Sequence, residues 1–151
     1  MGRKALSIDK VVMDLILTDD ALAKKKLAGK IWSIAYKKGI YPSSIHDYYM
    51  ARGRNEFSNS TVPAINLRSL TYDLARAIFR VGKKNNAKAF IFEIAKSVMG
   101  YTAQTPVEYS AVILAAAIKE NYSGPVFIQG DHFQVNAKKY IQSVKLKEIV
   151  N

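Results

Sequence analysis

Cysteine is absent from this chain of 151 residues. The chain can therefore form neither disulfide bonds nor thiolate metal ligands, and any metal site would depend on histidine and carboxylates. Histidine is nearly as scarce, because only His46 and His132 are present. Two histidines cannot build a three-histidine metal site within one chain. The lack of cysteine is typical of a cytoplasmic protein, which is the location that we expect.

Long apolar runs are lacking as well. No stretch approaches the roughly 20 apolar residues that cross a bilayer, and the first residues carry no long apolar segment. The sequence therefore predicts neither a membrane-spanning helix nor a secretory signal. Hydrophobic residues still make up 49% of the chain and aromatic residues 11%, which indicates a folded domain with a substantial core.

Acidic side chains are few: 12 against 23 lysines and arginines, for a net charge of +11. Such a charge could mark a surface for nucleic acid or another anion. The lysines are spread in short groups along the chain, however, which favours ordinary solvated helix faces. Basic and aromatic side chains come together at Tyr48 and Tyr49, near Arg52 and Arg54. Nucleic acid therefore remains an alternative partner.

Residues 1–60 have the pattern of an all-helical N-terminal segment. Ser7 is placed to cap a first helix, and Asp19 or Asp20 a second one that ends near Gly39. The second helix carries Trp32 on its apolar face, so this side chain is assigned to the core. A third, shorter helix is predicted to start at residues 42–44 and to end near residue 53.

Residues 61–151 alternate between apolar strands and amphipathic helices. Strands are predicted at 61–67, 89–95 and 125–130, and helices at 70–81, 105–119 and 136–150. Units of about 30 residues with short connections are typical of a parallel sheet built from βα repeats. The fold class is therefore α/β, but the pattern alone does not separate an open sheet from part of a closed barrel.

The third predicted strand runs directly into Asp131 and His132. Its apolar residues show no alternation, as in a parallel strand that is covered on both faces. Parallel βα barrels carry their active sites at the carboxyl ends of the strands, where these two residues would stand. An aspartate can take up or release a proton, and a neutral imidazole can bind a metal. Asp131 could instead cap the helix that follows.

Two polar residues take the corresponding places on the other strands. Asn66 ends the first strand, and Glu93 lies near the end of the second. Each could contact a substrate at that edge of the sheet. Asn66 could equally be a residue of the strand-to-helix turn, and Glu93 has a similar structural alternative.

Three segments in order resemble the first strands of class II, zinc-dependent fructose-bisphosphate aldolases. They are Val-Pro-Ala-Ile-Asn at 62–66, Phe-Ile-Phe-Glu at 90–93, and Gly-Pro-Val-Phe-Ile-Gln-Gly-Asp-His at 124–132. The resemblance covers roughly residues 61–145. It departs from the family at Ala95, where a small hydroxyl residue is typical. A TIM barrel takes about 200 residues or more, so this region corresponds to three of its eight βα units.

The resemblance implies a TIM-barrel fold and an aldehyde-lyase activity in carbohydrate metabolism, at the aldolase step of glycolysis. The substrate would be a ketose bisphosphate, a phosphorylated sugar, and zinc would polarise its ketone. The aspartate that matches Asp131 would move the proton at the reacting hydroxyl, and the histidine that matches His132 would be a zinc ligand. The family's other zinc ligands and its glycine-rich phosphate loops lie on later strands.

Three parallel strands leave two unpaired sheet edges. An unpaired edge invites association unless something covers it, so we expect self-association or a partner chain at these edges. Three hypotheses follow from the sequence: the N-terminal portion of an aldolase-like enzyme, inactive alone; a non-catalytic fragment or assembly protein; and a basic protein that binds nucleic acid or other anions.

Overall fold

The computed structural model describes residues 7–56, 58–87 and 89–134. These residues form six helices and four strands in a mixed α/β fold. The elements in chain order are α1 Ile8–Leu17, α2 Ala21–Lys37, β1 Ile40–Ser43, α3 His46–Gly53, β2 Ala64–Asn66, α4 Thr71–Lys84, β3 Ile91–Ala95, α5 Lys96–Thr102, α6 Pro106–Lys119 and β4 Gly124–Asp131.

The four strands form one parallel sheet in the order β1-β4-β3-β2. Strands β2, β3 and β4 follow one another across the sheet, with α4 and then α6 in the connections. Right-handed crossovers that advance in one direction place their helices on one face of the sheet. Accordingly α4 packs against α6, α2 packs against α6 from the other side, and α1 contacts both α2 and α6.

The main core lies between the sheet and these helices, and α6 is at its centre. Every residue from position 111 to 117 is fully buried, because helices or the sheet surround α6 on all sides. Four alanines in this run allow the neighbouring helices to approach closely. Phe79 on α4 packs its ring 5.1 Å from that of Phe92 on β3, which ties the helical layer to the sheet.

The expectation of an all-helical N-terminal segment is wrong at residues 40–43. Ile40–Ser43 forms β1 and pairs in parallel with β4, so the sheet has four strands rather than three. In the sequence, Pro42 is typical of a helix start, but proline is also tolerated in an edge strand. The partner strand begins 84 residues later, at Gly124, and a local sequence pattern does not reveal a pairing between such distant segments.

Other boundaries agree more closely with the sequence. Asp20 caps α2 by accepting a hydrogen bond from the Leu22 amide at 2.8 Å, and Thr105 caps α6 through the Glu108 amide at 3.2 Å. Ser7 occupies the cap position of α1 without a side-chain cap bond. The structure adds α5, which covers residues expected in a loop, and the predicted helix at 136–150 lies outside the described residues.

Candidate functional site

A row of polar side chains crosses the sheet on the face that α4 and α6 do not cover. Asn66 of β2 is in register with Glu93 of β3, and Glu93 with Gln129 of β4. Residues in register on parallel strands point to the same face, so these three side chains lie next to one another. Phe92, one residue earlier than Glu93, points into the helix-side core.

Asp131 lies two residues after Gln129 and therefore on the same face, at the carboxyl end of β4. Asn66 joins it to the row: Nδ2 donates to Oδ2 of Asp131 at 2.9 Å and lies 3.4 Å from Oε2 of Glu93. Gln129 Nε2 donates to the other oxygen of Glu93 at 2.5 Å. Amide donors thus hold two carboxylates side by side, and the amides partly offset their mutual repulsion.

His132 follows directly and turns the chain out of the sheet. Its φ of 53° is in the left-handed region, which costs energy for a residue other than glycine. The imidazole is 77% exposed, with Nε2 3.3 Å from Oδ1 of Asp131, whereas the Asp131 side chain is only 20% exposed. The pair thus presents an accessible imidazole beside a largely covered carboxylate.

Gly130 and Phe133 explain how this turn is held. A Cβ at Gly130 would meet the Phe133 ring at 2.5 Å, so only glycine allows the ring to fold back onto the strand.

The end of β3 is fixed from the helical layer. Tyr109 of α6 donates its hydroxyl proton to the backbone oxygen of Glu93 at 2.7 Å. Burial raises the pKa of Tyr109, so the hydroxyl remains a donor over the whole neutral range. The Leu67 amide contacts the same oxygen at 3.4 Å, so β2, β3 and α6 meet beside the polar row.

The other half of this sheet face is apolar and covered. Ile45 and Tyr48, at the start of α3, pack against Ile91 and Phe127 near the amino-terminal ends of β3 and β4. Within the described residues, this apolar cover does not extend to the carboxyl ends of the strands, where the polar row stands.

Among the described residues, Asn66 Oδ1 is the one buried side-chain oxygen or nitrogen without a hydrogen-bond partner. The Nδ2 atom of the same amide is already engaged with Asp131. An orphaned acceptor costs about 1–3 kcal/mol of folding free energy unless a donor reaches it. Asn66 Oδ1 can therefore accept a hydrogen bond from a donor that reaches the polar row.

Four residues singled out from the sequence meet at the carboxyl ends of the strands: Asn66, Glu93, Asp131 and His132. Gln129 belongs with them, and its register with Glu93 is the signal that identifies it. Ala95, the expected hydroxyl position, pairs with Asp131 in register. His46 begins α3 and is exposed.

The donor set at this edge falls short of what a catalytic zinc ion needs. Within the described ranges, no group of three or more His, Cys, Asp and Glu side chains is arranged to hold a metal ion. His132 and Asp131 provide one imidazole and one neighbouring carboxylate, whereas catalytic zinc takes three protein ligands. Among the residues that the structure describes, this donor set does not complete a zinc site by itself.

No helix in the described part of the chain is both long and apolar enough to cross a membrane. No protein-family model matches the chain, and neither do any curated proteins or solved structures.

Proposed function

We propose that the chain is the N-terminal portion of a class II fructose-bisphosphate aldolase-like protein, in which β2, β3 and β4 are the first three strands of a TIM-barrel-like unit. The observation that carries the proposal is the convergence of Asn66, Glu93, Asp131 and His132 at the carboxyl ends of three successive parallel strands. The packing of α4 against α6 also supports it, because a barrel places the helices that follow its strands together on the outside.

The residues have separate roles in this proposal. Asp131 is the acid and base that moves a proton at the reacting hydroxyl of the bound sugar. Asn66 holds Oδ2 of that carboxylate and so orients it, and Glu93 contacts substrate hydroxyl groups. His132 is the metal ligand of this portion, and zinc, when bound in the complete protein, would polarise the ketone of the substrate.

The isolated chain is expected to show little or no cleavage of fructose 1,6-bisphosphate, even with added zinc. One histidine cannot fix the metal, and the glycine-rich phosphate loops of the family have no counterpart in the matching region. Catalysis by such a site is mostly positioning and electrostatics, so loss of most ligands removes nearly all of it. Zinc-dependent cleavage by the chain alone, abolished in Asp131→Asn and His132→Ala, would contradict this expectation.

The proposal itself is tested by supplying the missing strands, the first of which would have to displace β1 from its pairing with β4. The full chain is co-expressed with the later βα units of a class II aldolase, and zinc-dependent cleavage of fructose 1,6-bisphosphate is measured. We expect activity above that of either part, and an about 100-fold or greater loss in Asp131→Asn, as for removal of a general acid–base group. Asp73→Asn, an exposed acid on α4, is the matched control. A stable complex without cleavage activity would reject the proposal.

The open sheet edges favour a second candidate, a non-catalytic assembly protein. Strands β1 and β2 are both edge strands, and exposed Leu74 and Val81 lie on α4, the helix that follows β2. An unpaired strand beside apolar helix residues is a surface on which another chain could add a strand and a helix. A light-scattering mass above 16.9 kDa for the purified chain would favour this function.

A further inference from the structure

One basic surface is not used by the sheet or by the polar row: the outward face of α2. This helix carries five lysines and no acidic residue within Ala21–Lys37. Lys24 turns inward to pair with Glu108, but Lys25, Lys26, Lys30 and Lys37 are exposed. Across the described ranges, the lysines that form ion pairs are Lys10, Lys24 and Lys119, so these four keep their charge uncompensated.

Three of these lysines form one row. Lys26, Lys30 and Lys37 are four and seven residues apart, which places them within about 40° of one another around the helix. The row is about 16 Å long at 1.5 Å per residue. It is therefore a linear array of positive charge on a rigid element, which suits a chain of phosphates better than a single anion.

A second row on the same face is aromatic. Tyr36 is 54% exposed, and its ring centroid lies 6.1 Å from that of Trp32, one turn earlier. Trp32 is half-buried and packs against the main core, as its position on the apolar face of α2 predicted. An exposed, supported ring provides the flat surface on which a base can stack.

Between the two rows the helix carries Gly29 and Ser33, both exposed. A Cβ at Gly29 would touch nothing within 4 Å, so no packing contact accounts for glycine there. Glycine within a helix interior lowers helix stability. What the glycine provides is a shallow gap between the lysine row and the aromatic row.

We propose that the outward face of α2 is a binding site for single-stranded nucleic acid, with phosphates along Lys26, Lys30 and Lys37 and a base over the Gly29 gap against Tyr36. The net charge of +11 attracts any polyanion, and the aromatic row and the gap distinguish a base-bearing strand from other polyanions. The α2 site is independent of the aldolase proposal, since none of its residues lies in the polar row.

The lysine row is tested with a labelled single-stranded thymidine oligonucleotide. Its affinity for the full-length chain is measured by fluorescence anisotropy over a range of salt concentrations. Lys26→Gln with Lys30→Gln should reduce the slope of log K against log salt by roughly 1.4, or about 0.7 for each phosphate of a single strand that the protein no longer neutralises. Lys84→Gln with Lys96→Gln removes the same charge from exposed positions elsewhere and should leave the slope nearly unchanged.

The aromatic row and the gap are tested separately. Tyr36→Ala should weaken binding at least about fivefold without changing the salt slope, because it removes a stack and no charge. Tyr101→Ala, at 64% exposure, is the matched control.

Gly29→Leu should raise the melting temperature but weaken binding, because the side chain strengthens the helix and fills the gap. Gly100→Leu, another helical glycine with open space around it, should not affect binding.

Three results would overturn the proposal. The first is no oligonucleotide binding at physiological ionic strength. The second is an equal effect of the two lysine pairs, which would mean that net charge alone drives binding. The third is binding of phosphatidylserine vesicles without oligonucleotide binding, which would make α2 a membrane-surface helix. Circular dichroism spectra that match the wild type show that each variant retains its fold.

Discussion

At the scale of single residues, Asn66 connects the parts of the candidate site. Its Nδ2 group faces Oδ2 of Asp131 and Oε2 of Glu93, and both carboxylates depend on this amide and on Gln129 for donors. Two carboxylates held this close repel each other when both are ionised. The amide therefore has a structural role that can be measured apart from any catalysis.

Asn66→Ala should lower the free energy of unfolding by about 1–3 kcal/mol at neutral pH, because a largely covered carboxylate oxygen of Asp131 loses its donor. In the Glu93→Gln background, Asn66→Ala should lower the free energy of unfolding by a smaller amount, because one of the two negative charges is already removed. Urea unfolding of the two single variants and the double variant measures this coupling. Equal costs in both backgrounds would show that Asn66 does not hold the carboxylates together.

At the scale of elements, the sheet edges have different chemistry. The Gly124 amide donates to the Gly39 oxygen at 2.8 Å, so by alternation the main chain of Ile40 and Pro42 faces away from β4. The free edge of β1 therefore lacks the amide donor that any residue other than proline would present at position 42. Proline in such a place blunts an edge against pairing with other chains.

Pro42→Thr should consequently increase self-association while changing the urea midpoint little, because it restores an edge donor and touches no core side chain. Static light scattering against protein concentration measures the effect. Pro63→Thr is the control: the Pro63 oxygen accepts from the Ile91 amide at 2.9 Å, so its main chain faces β3 and adds nothing to the free edge. Equal association of the two variants would contradict this account of the edge.

At the scale of the whole molecule, Asp9 ties the first helix to the helical layer. Tyr72 of α4 donates to its Oδ1 at 2.9 Å, and Lys119 of α6 lies 2.6 Å from its Oδ2. The Lys119 ammonium, helped by the hydroxyls of Tyr72 and Ser7, lowers the pKa of Asp9 from its ordinary 3.8 to about 2. Three helices thus meet at one carboxylate.

A group whose pKa is lower in the folded than in the unfolded chain stabilises the folded state at pH values above its unfolded-state pKa. This stabilisation is lost as the pH falls towards the folded-state pKa. Asp9→Asn should therefore lower stability at neutral pH by about 1 kcal/mol, a modest cost because the side chain is 43% exposed. The difference from the wild type should shrink below pH 3.8 and vanish near pH 2. Urea unfolding midpoints across this pH range measure the difference in stability. The control is Asp14→Asn, which removes the acid of the exposed pair with Lys10. A stability difference that does not depend on pH would contradict the lowered pKa of Asp9.

Local chemistry in the sequence was sufficient to predict many of the helices and strands of this protein. Unbroken apolar runs placed β3 and β4, Asp19 and Asp20 marked the start of α2, and the position of Asp131 and His132 after a strand predicted their place at its carboxyl end. What only the tertiary structure decided is non-local. The pairing of β1 with β4, the register that aligns Asn66, Glu93 and Gln129, and the exposure of Tyr36 beside half-buried Trp32 depend on which distant segments pack together. Side-chain periodicity within one segment shows which face is buried, but it does not identify the distant segment that packs against that face.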